Sequence, residues 1–213
     1  MREHIETYWR DFATITNSIP YAAVTQVAET ILECQRNDGT IFVLGNGGSA
    51  ATASHFACDL AKGTQTPGHR PFRVMPLTDN VPLLTAWGND SSYERIFAEQ
   101  LATLVRDRDV VVLISASGNS PNVLHAAAVA RERNATTIAW TGESGGKLGL
   151  MSDITVRIPL ASIEQVEDAH LIIAHSICVA LRCERQRTAF NDVLVPAAYS
   201  NLATVDLAIS DEV

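Results

Sequence analysis

The chain has 213 residues, 46% of them hydrophobic and 19% charged, so it is long enough to bury a core and too apolar for a disordered segment. Its formal net charge of -8 argues against a nucleic-acid-binding surface, because phosphate backbones need clustered lysine and arginine. The polar N-terminal residues predict no signal peptide, and no apolar run approaches the ~20 residues of a membrane span. We therefore expect a cytoplasmic protein without nucleic-acid or membrane partners.

The first part of the chain is expected to be helical. One helix is predicted from about Glu3 to Ser18 and another from about Tyr21 to Gln35, with Ser18-Ile19-Pro20 as the break between them. Val24, Val27 and Ile31 fall at helical spacing and give the second helix an apolar face. We expect residues 1–36 to form a helical segment that packs on the core or on a neighbouring subunit.

From Ile41 onward, short apolar runs alternate with helical patterns. Near-continuous apolar strands separated by helices indicate a parallel sheet covered on both faces. We predict an α/β fold over residues 37–188, a doubly wound parallel five-stranded sheet flanked by helices and ending in a long C-terminal helix, followed by a tail over residues 189–213. The strands are predicted at Ile41–Leu44, Phe72–Met75, Asp109–Ser115, Thr136–Thr141 and Ile154–Ile158. The helices are predicted at Ser49–Lys62, about Pro82–Trp87, Tyr93–Val105, Ser120–Arg133 and about Ser162–Arg187.

Two loops rich in glycine and hydroxyl residues each follow an apolar strand and precede a helix. The first loop runs from Gly45 to Ser49 and the second from Ser115 to Ser120. Ligands of such sheets bind beyond the carboxyl ends of the strands, and backbone N–H groups at a helix start attract anions. One such loop alone is equally well explained as a tight turn. Two loops together predict a site for a small phosphorylated ligand.

Two pairs of polar residues lie at helical spacing. His55 and Asp59 are four residues apart, so they lie on one helix face, about one turn from each other. Glu167 and His175 are eight residues apart on the last predicted helix, roughly two turns, with His170 between them. If the pairs converge, two imidazoles and two carboxylates could bind zinc or provide a general acid and a general base. The alternative is two helices that each turn a polar face toward solvent. Both histidines have mostly apolar neighbours, which favours convergence because a packed histidine needs a partner.

Asn89 and Asp90 follow Gly88 at the end of a predicted helix. Side chains of this type favour turns, so the segment is explained as a helix end. The functional interpretation places Asp90 near a sugar hydroxyl.

Taken in order, these motifs resemble those of the SIS (sugar isomerase) domain family, and more narrowly those of the sedoheptulose-7-phosphate isomerases, also called phosphoheptose isomerases. The resemblance covers residues 43–182. The motifs that carry it are Gly45-Asn46-Gly47-Gly48-Ser49, His55-Phe56-Ala57, Gly88-Asn89-Asp90, Ser115-Ala116-Ser117-Gly118-Asn119-Ser120, Thr141-Gly142 and the helix with His170 and His175. It implies a homotetramer with shared active sites, and conversion of the ketose sedoheptulose 7-phosphate into D-glycero-D-manno-heptose 7-phosphate through a cis-enediol.

The resemblance also implies a role for each matching position. The implied metal is one Zn²⁺ or another divalent ion per active site, with the ligands His55, Asp59, Glu167 and His175. Asp59 is the implied base with Glu167 in reserve, and His175 is the acid. The implied substrate-binding residues are Asn46, Gly47, Gly48, Ser49, Asn89, Asp90, Ser115, Ala116, Ser117, Ser120 and Glu167.

Three positions depart from the family's usual pattern. Asp59 stands where Glu is usual, Glu167 where Gln is usual, and Ala116 where Thr is usual. One carboxylate is shorter while another is added, which favours a retuned site over an inactive one. The alternatives are a non-catalytic phosphosugar-binding protein that acts as an interaction module, and an isomerase for another phosphosugar.

Overall fold

A computed structural model describes residues 1–15, 17–160 and 162–194 of the chain. The predicted tail, residues 189–213, lies outside the described residues from position 195 onward. The helices are α1 Arg2–Ile15, α2 Tyr21–Arg36, α3 Gly48–Cys58, α4 Val81–Asp90, α5 Ala98–Leu104, α6 Pro121–Glu132, α7 Gly146–Met151 and α8 Ile163–Leu194. The strands are β1 Thr40–Gly45, β2 Arg73–Pro76, β3 Val110–Ile114, β4 Thr136–Gly142 and β5 Ile154–Ile158.

The strands form one parallel sheet in the order β2-β1-β3-β4-β5, which confirms the predicted doubly wound α/β fold. The chain moves outward from β1 to β2 and then returns to place β3 on the other side of β1. The strand order therefore reverses between β1 and β3, where Gly45 pairs with Ile114. Ligands of such sheets bind at this reversal, beyond the carboxyl ends of the strands. Both predicted loops follow these two strands.

Each face of the sheet is buried under helices. Side chains alternate across a strand, so Val43 and Val112 belong to the core under α2, α3 and α8, whereas Leu44 and Leu113 pack toward α5 and α6. All four are fully buried. Burial on both faces explains why the central strands read as uninterrupted apolar runs.

Several helix boundaries differ from the sequence predictions. The helix after the first loop ends at Cys58 and continues as a π-helical turn, Asp59–Gly63. The helix predicted at 93–105 is divided into a 3-10 turn, Tyr93–Arg95, and α5. Helix α7 was not predicted, because its glycines are more typical of a loop. Helix α8 continues to Leu194, past the predicted end at Arg187.

The N-terminal helices pack on the last helix and the sheet. Val27 and Ile31 of α2 are fully buried in the core that α8 also covers. The Tyr8 hydroxyl of α1 donates a hydrogen bond to the Asp168 carboxylate of α8, which is the main reason that the pKa of Tyr8 rises to about 12. Among the helices described, none combines the length and apolarity needed to cross a membrane.

Candidate active site

The second loop brings two serine hydroxyls together at the end of β3. The Oγ atoms of Ser115 and Ser120 lie 3.2 Å apart. Ser120 precedes α6 as its N-cap, and its side chain makes no capping hydrogen bond, so both hydroxyls remain available to a ligand. Ser117 is exposed, with its Oγ accepting from the Asn119 N–H at 3.2 Å. An anion beside this pair would also lie at the beginning of α6, where Pro121 has no N–H and Asn122 carries the first one of the helix.

A tight approach to a neighbouring loop shapes this second loop. Gly118 has a φ of +62°, and a Cβ there would overlap the carbonyl of Gly145. The Gly142 N–H donates to the Ala116 carbonyl at 2.8 Å. The backbone around Ala116 is therefore held by β4 and by the loop that follows it.

The first loop turns sharply into α3. Gly47 is the N-cap residue of that helix with a φ of +53°, a conformation that favours glycine. Ser49 is buried, and the Asn46 side chain reaches the first turn of α6, the helix that follows the second loop. The loop therefore presents backbone N–H groups and one amide at the point where the strand order reverses.

Sequence reasoning missed two residues that contact Asn46. The amides of Asn46 and Asn122 exchange two hydrogen bonds of 2.8 Å, and the Tyr93 hydroxyl donates to Oδ1 of Asn46 at 3.1 Å. Asn122 lies in the first turn of α6 and Tyr93 in the 3-10 turn before α5. The sequence carries no signal for this contact, because 76 positions separate the two asparagines.

Three of the four predicted metal ligands converge. Nε2 of His55 lies 3.0 Å from Nε2 of His175, and Oδ2 of Asp59 lies 3.4 Å and 3.7 Å from these two nitrogens. Asp59 and His55 are one helical turn apart on α3 and its π-helical extension. Helix α8 passes beside them and brings His175 into contact with both. π-Helical turns occur often at functional sites. The side chains are 46%, 30% and 48% exposed for His55, Asp59 and His175, so a ligand can reach them.

The cluster has the donors and spacing of a zinc site. Two imidazoles and one carboxylate are a ligand set used by catalytic zinc, which leaves a fourth position for water or substrate. A tetrahedral zinc with bonds of about 2.0–2.1 Å holds its ligands roughly 3.3 Å apart. The three separations in the cluster, 3.0, 3.4 and 3.7 Å, bracket that value. The residues present therefore fit a divalent metal.

Glu167 lies apart from the three-residue cluster. Its carboxylate sits against Gly48 at the beginning of α3, where a Cβ would collide with it. The ligand atoms that come within 4.8 Å of one another, among the described residues, belong to His55, Asp59 and His175. Glu167 is thus placed beside the first loop, next to the predicted substrate-binding residues.

Asn89 and Asp90 are the last residues of α4 and are exposed. The Asn89 amide donates to the Asp90 carboxylate at 2.8 Å. The helix continues through them, whereas the sequence predicted its end at Trp87. Their contact with a sugar stays a prediction.

His170 is a buried histidine on α8 that contacts the end of β4. It is fully buried on α8, and its Nε2 lies 3.3 Å from the Thr141 carbonyl at the end of β4. Burial lowers its pKa from the ordinary 6.5 to about 4, so the folded protein holds it neutral. Between these two values the unfolded chain binds more protons than the folded one, and stability is lost as the pH falls.

We expect this histidine to make the protein acid-sensitive. Its contribution, present above pH 6.5, falls by roughly 3 kcal/mol as the pH drops to about 4. Urea denaturation at pH 7, 6 and 5 should show a smaller loss of unfolding free energy in His170→Gln than in the wild type. His4→Gln, on the exposed α1, is the control and should follow the wild-type profile. Equal pH slopes in all three proteins would contradict the assignment.

Comparisons with known proteins agree with this geometry. The family model described as "SIS domain" matches residues 8–142. Phosphoheptose isomerase of Neisseria meningitidis serogroup C is 39% identical over 156 residues, which cover 72% of this chain and 79% of that relative. Phosphoheptose isomerase of Rhodospirillum rubrum is 38% identical, with 73% of this chain and 82% of the relative covered.

A solved structure is also similar over most of its length. The phosphoheptose isomerase of Neisseria gonorrhoeae superimposes with a TM-score of 0.79 at 33% identity, covering 84% of this chain and 97% of that structure. At this identity and coverage the two chains share the fold over most of their length.

Proposed function

This chain belongs to the SIS domain family and resembles its phosphoheptose isomerases, and on that basis we propose that it is an aldose–ketose isomerase acting on sedoheptulose 7-phosphate. The aldose product is D-glycero-D-manno-heptose 7-phosphate. The non-catalytic alternative has no support among these relatives, which are named as isomerases.

The observation that carries the proposal is the convergence of Asp59 with two imidazoles, those of His55 on α3 and His175 on α8. Acid–base chemistry on a sugar needs a carboxylate and an imidazole within reach of one carbon, and Oδ2 of Asp59 lies 3.7 Å from Nε2 of His175. A phosphate needs fixed donors, which the Ser115 and Ser120 hydroxyls supply. The site thus offers one region for the phosphate and another for proton transfer.

The proposed reaction moves one proton between neighbouring carbons. Asp59 takes a proton from C1 of the ketose, while His175 protonates the carbonyl oxygen on C2, which gives a cis-enediol. His175 then takes the proton from the hydroxyl on C1 while Asp59 returns its proton to C2, so the aldehyde forms at C1 and both side chains regain their starting protonation. Glu167 is the reserve base, since its carboxylate lies against Gly48 of the first loop.

We propose one Zn²⁺, or another divalent ion, per active site. His55, Asp59 and His175 would hold it, and Glu167 remains the fourth predicted ligand. A bound divalent ion would supply positive charge that polarises substrate oxygens. The same ion would also hold Asp59 and the two histidine side chains facing one point.

We further propose a cytoplasmic homotetramer whose active sites are shared between subunits. Ile172 and Val179 of α8 are 52% and 47% exposed, and they lie on the helix face that also carries His175. Trp9 of α1 is 66% exposed. A second copy packed on this face would bury the apolar side chains and cover the half-exposed cluster.

Turnover of sedoheptulose 7-phosphate tests the function directly. We expect the purified protein to form the heptose aldose, a chelator to lower the rate by at least about tenfold, and added Zn²⁺ to restore it. Product formation is followed by mass spectrometry after derivatisation of the aldehyde. Fructose 6-phosphate is the matched substrate control, because it has the same ketose end and one carbon fewer.

Absence of turnover of sedoheptulose 7-phosphate under every metal condition would contradict the proposal. Turnover of fructose 6-phosphate alone would assign the protein to another phosphosugar.

A further inference from the structure

We propose that Asn122, assisted by Tyr93, is a positioning residue that orients the Asn46 amide toward the substrate. The inference rests on the proposed function for its substrate, and on the described contacts for its geometry. Neither Asn122 nor Tyr93 was among the predicted site residues.

The two asparagines form a reciprocal pair. Nδ2 of Asn46 donates to Oδ1 of Asn122, and Nδ2 of Asn122 donates to Oδ1 of Asn46, each at 2.8 Å. Two hydrogen bonds between planar amides hold both planes, whereas one bond would leave rotation free. The pair therefore fixes the direction in which Asn46 points.

Donor and acceptor counting shows what remains for a ligand. Oδ1 of Asn46 accepts from Asn122 and from the Tyr93 hydroxyl, so both of its lone pairs are used. Nδ2 of Asn46 uses one of its two N–H groups within the pair. The side chain is left with one N–H, and it can offer a ligand only a donor. Sugar hydroxyls and phosphate oxygens accept such a bond.

The pair also ties the two loops across the reversal in strand order. Asn46 follows β1, and Asn122 lies two residues after Ser120 of the loop that follows β3. Asn122 is 2% exposed, so an unpaired amide there would lose its partner without gaining water. Loss of the pair therefore affects the relative placement of both loops.

Tyr93 contacts the pair through Asn46. The residue is 64% exposed, and it lines a cavity of about 290 Å³ that Asn46, Gly47 and Thr85 also line. The hydroxyl supplies the second bond to Oδ1 of Asn46 from a site that solvent and ligand can enter. It thus connects the cavity between the first loop and α4 to the amide pair.

A double-mutant cycle tests the proposal. We expect Asn122→Ala to raise KM for sedoheptulose 7-phosphate about tenfold, and Tyr93→Phe about threefold, with smaller effects on kcat. In an Asn46→Ala background, each change should alter KM by less than about twofold, because both residues act through Asn46. Thr137→Val is the matched control: it removes buried hydrogen bonds at the amino end of β4 and should leave KM unchanged.

If Asn122→Ala raised KM by the same factor in the wild-type and in the Asn46→Ala background, the proposal would be overturned, since the effect would not pass through Asn46. Asn122→Asp, which keeps the shape of the side chain, tests the same contact if the alanine variant fails to fold. Its carboxylate lacks the donor to Oδ1 of Asn46, so a crystal structure at pH 8 should show the Asn46 amide rotated away from its wild-type direction. An unchanged Asn46 amide there would also overturn the proposal.

The crystal result separates this inference from the proposed function. If the wild type fails to convert sedoheptulose 7-phosphate, the isomerase proposal fails, and the rotation of Asn46 in Asn122→Asp alone decides the positioning role. If the wild type is active, the positioning role stands only when the KM cycle shows coupling through Asn46 and the Asn46 amide is rotated in Asn122→Asp.

Discussion

Replacement of Asp59 by asparagine is expected to lower kcat for sedoheptulose 7-phosphate by roughly a thousandfold, the range for loss of a general base. The substitution keeps the shape of the side chain and removes its charge. Because Oδ2 of Asp59 lies within 3.7 Å of both histidine nitrogens, we also expect bound zinc per chain to fall, measured by metal analysis after dialysis. Steady-state kinetics at saturating Zn²⁺ measures the loss of turnover.

Asp107→Asn is the matched control for this change. Asp107 is exposed and precedes β3, at the edge of the sheet opposite to the loops, so activity and metal content should stay at wild-type values. A variant at Asp59 that binds zinc as the wild type does but lacks turnover would support the role of base over that of ligand. Retention of more than about a third of wild-type kcat would contradict both roles.

Gly118→Ala is expected to destabilise the protein by roughly 2–5 kcal/mol and to raise KM as the second loop shifts. The φ of +62° penalises any Cβ, and the added methyl would overlap the backbone carbonyl of Gly145, which has no side chain to move aside. The Leu148 N–H also donates to the Gly118 carbonyl at 2.9 Å, so the two loops must move together. Urea denaturation gives the change in unfolding free energy, and kinetics the change in KM.

Gly68→Ala separates strain from collision. Gly68 has a φ of +82°, but a Cβ there would meet nothing within 4 Å. We expect it to cost about 1 kcal/mol and to leave KM unchanged, because only the backbone strain applies. Equal destabilisation by the two variants would contradict the collision at Gly145.

The sheet was predictable from sequence because its strands are buried on both faces. Val110 to Ile114 is an apolar run in which hydrophobic and polar residues do not alternate. Such a run is typical of a strand that is covered by helices on both faces of its sheet. The strand order does not follow from the sequence pattern, since it depends on which strands pair. The helical boundaries were less predictable: Tyr93–Arg95 separates from α5, and α7 begins between two glycines with positive φ.

The candidate site was predictable in its parts. Spacing placed His55 and Asp59 on one helix face, and the composition around His175 favoured a packed helix. His175 meets His55 and Asp59 only because α8 crosses α3, and the sequence does not show that crossing. Glu167 is the instructive case, because it shares α8 with His175 yet contacts Gly48 at the first loop.

The sequence by itself determined the class of fold, the two loops and the residue types available for chemistry, because apolar periodicity and turn residues act over a few positions. Only the tertiary structure decided that β1 and β3 lie side by side and that three ligating side chains meet. It also decided that Asn46 and Asn122 pair across the loops. Such contacts join residues 76 and 120 positions apart, and their existence depends on how helices and strands pack, which local propensity does not encode.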